Sequence, residues 1–134
     1  MNEGENTSLI SGDIDIEMAW NIGKAVAEWI AIPGHVVVVY APLRQNEASA
    51  VMEGLRLQGR AVADRGSGDL IVAKRYLAAP CAGAVIVGQV GDAVTVEVCQ
   101  ANGHVLTGDI LQRLWEQALA GNFVPAVTKG ELIA

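Results

Sequence analysis

The sequence predicts a single α/β domain, a mixed and mostly parallel sheet with helices on both faces in three layers and one antiparallel hairpin. Three observations predict it. The runs Val36–Tyr40 (VVVVY) and Ala84–Val87 (AVIV) are apolar without polar alternation, the pattern of strands covered on both faces. Around them lie segments whose apolar residues recur every three or four positions, the period of a helix with one buried face. Finally, Val94, Val96 and Val98 alternate with Thr95, Glu97 and Cys99, a strand with one lightly covered face that follows Ala84–Val87 closely enough for a hairpin.

The elements follow in order. Residues 1–10, beginning with the polar MNEGENTS, are expected to be a flexible N-terminus, with the domain over 11–125 and a C-terminal tail over 126–134. The first helix runs from Ile16 to Ile30, because Ala19, Ile22, Gly23, Val26, Ala27 and Ile30 share a face, and Asp15 is placed to accept from its free first-turn amides. Pro33 and Gly34 end that region, and the first buried strand follows. After APLRQ, Asn46 is the expected cap of a second helix with the stripe Ala48, Val51, Met52 and Leu55. Gly59 stands where a left-handed C-terminal residue is wanted. A short strand, Ala61–Ala63, leads into DRGSGD, read as a turn, after which Ser67 or Asp69 starts a third helix ending before Pro80. Beyond the hairpin, Asn102 and Gly103 supply a turn, Thr107 a cap, and Leu111, Leu114, Trp115 and Ala118 the inner stripe of a last helix stopped by Gly121. The tail from Phe123 onward shows no period.

Bulk properties exclude several function classes. A chain of 134 residues with 51% hydrophobic and 18% charged residues is long enough to bury roughly two-thirds of its unfolded surface. The most apolar stretch, Tyr76 to Val90, is interrupted by Pro80 and glycines and flanked by Lys74 and Arg75, short of the roughly 18 uninterrupted apolar residues a membrane span requires. With neither the basic start nor the apolar block of a secretory signal, a cytoplasmic location is expected. The net charge of −6, with nine scattered basic residues, repels nucleic acid. Cys81 and Cys99 read as buried packing residues, and with His35 and His104 they lack the paired spacing of a zinc site, so neither metal nor cofactor is expected.

Local chemistry leaves few candidates. Gly88–Asp92 (GQVGD) is read either as a hairpin turn or as a glycine-bearing nest for an anion. It lacks the lysine and hydroxyl of a P-loop. In DRGSGD, Asp64, Asp69 and Ser67 are explained by turn chemistry, since no histidine is near in sequence to activate the serine. His35 and His104 fall in loops without a nucleophile to serve. Arg44 follows an all-apolar strand, at the end of an α/β sheet where ligands usually bind.

Three segments carry a resemblance. IDIEMAWNIGKAVAEWI, VMEGLRLQGRAVADRGSGD and ANGHVLTGDILQRLWEQALAGNF resemble, in the same order, three segments of the first domain of the phosphohexomutases, the phosphomannomutase and phosphoglucomutase family. The match is distributed along roughly Ser11 to Pro125. That domain carries, in a TASHNP- or TGSHNP-like loop after an apolar strand, a serine that shuttles a phosphoryl group between hexose positions. Here the strand is GAVIV and the loop is Gly88, Gln89, Val90, Gly91, Asp92, so Gln89 stands at the serine position, Val90 at the histidine and Gly91 at the asparagine. A carboxamide is no phosphoryl acceptor. The family's GRDxR-like loop is represented by YAPLRQ, with Arg44 the surviving arginine, and Asp64 and Asp69 do not reproduce its DGDxDR magnesium loop. The resemblance therefore implies a domain without catalytic residues, acting as a binding or assembly module with a homodimer or protein partner. Two alternatives accompany it: a subunit or fragment of a phosphohexomutase, and a phosphosugar sensor holding its anion at Arg44, Gly88 and Gly91.

Overall fold

The structure, a computed structural model, describes residues 9–133. Its elements are β1 (Ile10–Ser11), α1 (Ile16–Trp29), β2 (His35–Tyr40), a 3-10 turn (Pro42–Arg44), α2 (Gln45–Leu57), β3 (Val62–Ser67), α3 (Leu70–Lys74), β4 (Cys81–Val90), β5 (Ala93–Gln100), α4 (Gly108–Ala120) and β6 (Leu132–Ile133). The strands form one sheet in the order β1-β5-β4-β2-β3-β6. β2 lies between β4 and β3 and is parallel to both, and β6 is parallel to β3. β4 and β5 make the expected antiparallel hairpin, and β1 adds antiparallel to β5.

Strand alternation divides the core. Val36 and Val38 point to the layer of α1, α2 and α4, where they meet Ile22, Val26, Val51, Leu55, Leu111 and Leu114. Val37 and Val39 point to the other face, with Ala63, Ala73, Ala84 and Ile86. That face is covered by the five-residue α3, so the three layers are unequal.

Several terminal devices are as expected. Asp15 Oδ1 accepts from the Met18 amide at 2.8 Å. Gly121 closes α4 in the left-handed region at φ 67°. Other expectations are corrected. Asn46 does not cap α2: the Pro42–Arg44 turn, closed by Arg44 N–H to the Ala41 carbonyl at 2.9 Å, runs straight into the helix and puts Arg44 at the cap position without a side-chain cap. DRGSGD is only partly a turn, because β3 continues to Ser67, opposite Tyr40, across an irregularity in the ladder. There Asp64 Oδ1 accepts from the Gly66 amide at 2.9 Å. Asp69 starts α3 by accepting from the Val72 amide at 3.1 Å, and that helix ends at Lys74, well before Pro80.

α1 and α2 meet backbone to backbone. A Cβ placed on Gly23 would collide with the Val51 carbonyl oxygen, and one on Gly54 with the Trp20 carbonyl oxygen. The two glycines let the helices touch backbone to backbone.

At the chain ends, residues 1–8 of the expected flexible N-terminus and Ala134 lie outside the described residues. Ile10 is buried in β1. The stretch without a sequence period after Phe123 crosses the C-terminal turn of α2, Ala126 N–H donating to the Leu57 carbonyl at 2.9 Å, and ends as β6 beside β3.

Candidate functional site

The site is built at the carboxyl ends of β2 and β4. From β2 the chain leaves through α2 toward β3, whereas from β4 it turns through the hairpin toward β5 on the opposite side. In open α/β sheets ligands bind outside the carboxyl ends of the strands, where the chain leaves in opposite directions. Ala41 N–H donates to the Val87 carbonyl at 2.9 Å and ties the loop after β2 to β4.

Two residues singled out from sequence meet there. Arg44 Nε donates to Gln89 Oε1 at 2.9 Å, and Arg44 Nη1 lies 3.4 Å from Glu47 Oε2. The guanidinium is thus held between a neutral carboxamide and a carboxylate one turn into α2. Glu47 offsets the charge of Arg44 at contact range, so an arriving phosphate would meet both signs.

The five-residue loop expected at Gly88–Asp92 is shorter than its sequence suggests. β4 runs on to Val90, with Gly88 opposite Thr95, Gln89 opposite Val94 and Val90 opposite Ala93. Gly91 and Asp92 alone make the turn. Gly91 has φ 59° while Asp92 has no positive φ, the type II′ pattern that matches the twist of paired strands. Gly88, Gln89 and Val90 are therefore extended ladder residues, and Gly91 is the left-handed position at which a backbone nest could form.

Chemically, the pair can hold the hairpin against α2 and present donors outward. It offers no nucleophile: a carboxamide carries no lone pair suited to accepting a phosphoryl group, and the Val90 side chain moves no proton. Nearby, the Tyr40 phenol is pushed above its ordinary range, first by burial and then by the adjacent carboxylate of Asp64, with which it shares a hydrogen bond.

Of the remaining candidates, Ser67 is exposed at the carboxyl end of β3, opposite Tyr40 and so at the same end of the sheet as Arg44. Another serine, Ser49, is exposed on α2. His35 opens β2 and His104 follows β5, both at the opposite end of the sheet from Arg44. Burial raises the thiols of Cys81 and Cys99, and both are packed between strands and α3. Among the described residues no three His, Cys, Asp or Glu side chains cluster to hold a metal ion, and no helix is long and apolar enough to cross a membrane.

Sequence reasoning missed two groups. Glu47 was signalled by its i, i+3 relation to Arg44. Lys24 is only 7% exposed, with Nζ 3.2 Å from the centroid of the Trp20 ring and 5.6 Å from that of Phe123. The i, i+4 spacing of Trp20 and Lys24 could have found half of that arrangement, but Phe123 is joined only by the fold. Burial pushes the Lys24 ammonium below its ordinary value.

No protein-family profile and no curated protein matches the sequence. Solved structures do: the chain has the fold of a domain from phosphoglucomutase/phosphomannomutase proteins. A phosphoglucomutase/phosphomannomutase family protein from Burkholderia thailandensis superposes with a TM-score of 0.77 at 22% identity, over 94% of this chain and 31% of that one. A protein assigned as a phosphomannomutase from Thermus thermophilus gives 0.70 at 16% identity, over 95% of this chain and 32% of that one. The chain spans about a third of the length of each.

Proposed function

We propose that this chain is a catalytically inactive relative of the phosphohexomutase first domain, acting as a binding or assembly module. One observation carries the reading. Arg44 Nε engages the amide oxygen of Gln89 at 2.9 Å, and these are the two residues that the sequence resemblance sets at the family's supporting arginine and at the transfer serine. The contact keeps the two loops together while replacing a phosphate acceptor with a neutral hydrogen-bond acceptor. Glu47, on the other side of Arg44, further reduces the attraction the site exerts on a phosphoryl group. A protein partner or a second copy is the occupant this reading favours.

A second reading is part of a phosphohexomutase acting on hexose phosphates. The lengths of the structural relatives favour it, since this chain covers 31% and 32% of them. A phosphosugar sensor is the third, resting on Arg44 and on the left-handed Gly91 at the turn.

Incubation with a hexose 1,6-bisphosphate followed by intact-mass measurement separates the first reading from the second. The expected result is an unchanged mass. A phosphoryl adduct, mapped by peptide fragmentation to Ser67, Ser49 or another side chain near the strand ends, overturns the inactive reading.

A further inference from the structure

After α4 the chain folds back as a strap. From Gly121, left-handed at φ 67°, it crosses the end of α2 and delivers β6 to the outer edge of β3. Its fastenings are mostly main-chain bonds. Ala126 N–H donates to the Leu57 carbonyl at 2.9 Å, Gly130 N–H to the Arg56 carbonyl at 2.7 Å, and Val62 N–H to the Glu131 carbonyl at 2.9 Å. Arg56 Nε returns a bond to the Gly130 carbonyl at 2.9 Å, and Gln58 Nε2 donates to the Val124 carbonyl at 3.0 Å.

Few side chains are buried with it. Phe123 and Ile133 are partly covered, whereas Val124, Val127 and Leu132 are 84%, 105% and 53% exposed. A segment held by hydrogen bonds and by the Lys129–Glu53 ion pair, with little apolar side-chain burial, belongs to the part of a fold that opens locally at low cost. The exposed Gly121, Asn122 and Pro125 provide the joint about which it would swing.

The dock it leaves is selective. A Cβ on Gly130 would collide with the Arg60 carbonyl, so an occupant needs glycine there, followed two and three residues on by aliphatic residues for the edge of β3. A second copy of this chain supplies that segment and makes every contact identically. We propose that the strap is exchanged between two copies, giving a dimer in which β6 of each pairs with β3 of the other. The exchange does not depend on how position 89 is read.

The test uses the full chain, warmed at high concentration to just below its unfolding temperature, cooled, and examined by sedimentation velocity. A dimer fraction that grows with concentration is expected. In a mixture of isotope-labelled and unlabelled copies, filtered NMR spectra should place Ile133 of one copy against Ala63 of the other. The Gly130→Ala variant weakens the dock alike in the closed monomer and the exchanged dimer, so it should speed the exchange of the strap between copies while hydrogen-exchange protection of β2 and β4 persists. A chain that stays monomeric throughout, a dimer without those intermolecular contacts, or strap exchange no faster in Gly130→Ala each overturns the proposal.

Discussion

Gly54→Ala is the perturbation whose size can be worked most directly from the structure. The added Cβ falls on the Trp20 carbonyl oxygen, with the Trp20 carbonyl carbon and the Lys24 amide nitrogen both at 3.1 Å. All three are backbone atoms, so relief requires α1 and α2 to move apart, and overpacking of this kind costs about 1–3 kcal/mol. The cost should lie toward the top of that range, because no side chain can rotate away. Against it stands the better helix propensity of alanine, worth about 1 kcal/mol, which leaves a net loss of about 1–2 kcal/mol. For 134 residues, at about 2.1 cal/mol/K each, the unfolding entropy is about 0.28 kcal/mol/K, so Tm should fall by about 4–7 °C. Thermal melts followed by circular dichroism, with urea midpoints alongside, measure it. Ser49→Ala, at an exposed site of the same helix, is the control and should raise stability by a few tenths of a kcal/mol. If Gly54→Ala matches or exceeds the parent, the backbone contact between the helices is refuted.

Other outcomes follow from named contacts. Arg44→Ala removes the bond to the exposed Gln89 and the pair with Glu47, in which the Arg44 and Glu47 side chains are 21% and 17% exposed. It should cost about 0.5–1.5 kcal/mol in urea unfolding, with hydrogen-exchange protection falling first at the hairpin. Lys24 has a lowered native pKa caused by burial, so above that value and below 10.5 the unfolded chain binds the extra proton and stability rises with pH. Lys24→Met should therefore gain most over the parent near neutral pH, and its advantage should shrink as pH approaches 10.5. Cys81 and Cys99 are 5% and 0% exposed with raised thiol pKa values. A thiol reagent at pH 8 should therefore modify them far more slowly than a free cysteine, and denaturant that raises the open population should speed the reaction.

Local signals in the sequence account for much of this fold. The α1 face, the uninterrupted Val36–Tyr40 run and the alternation of Val94, Val96 and Val98 report burial directly, and the observed elements contain all three. Boundaries set by long-range pairing were harder to read. Glycines in GQVGD and DRGSGD signal turns by local chemistry, yet the partners Thr95 and Val94, and Tyr40, extend the strands through both. β1 and β6, two residues each, exist only because β5 and β3 offer edges to them. At the site, Arg44 and Gln89 were both legible, but their bond spans 45 positions and needed the sheet order to appear. The aromatic enclosure of Lys24 was illegible for the same reason, since Phe123 lies 99 positions further along the chain.

The claim on which the functional account rests is that position 89 no longer passes phosphoryl groups. Conversion of a hexose 1-phosphate to its 6-phosphate, followed by phosphorus NMR with a catalytic amount of hexose 1,6-bisphosphate present, tests it most directly. The account expects no 6-phosphate above the protein-free background, for the parent chain and for Arg44→Ala alike. Sustained interconversion by the purified chain, abolished in Arg44→Ala, would contradict it.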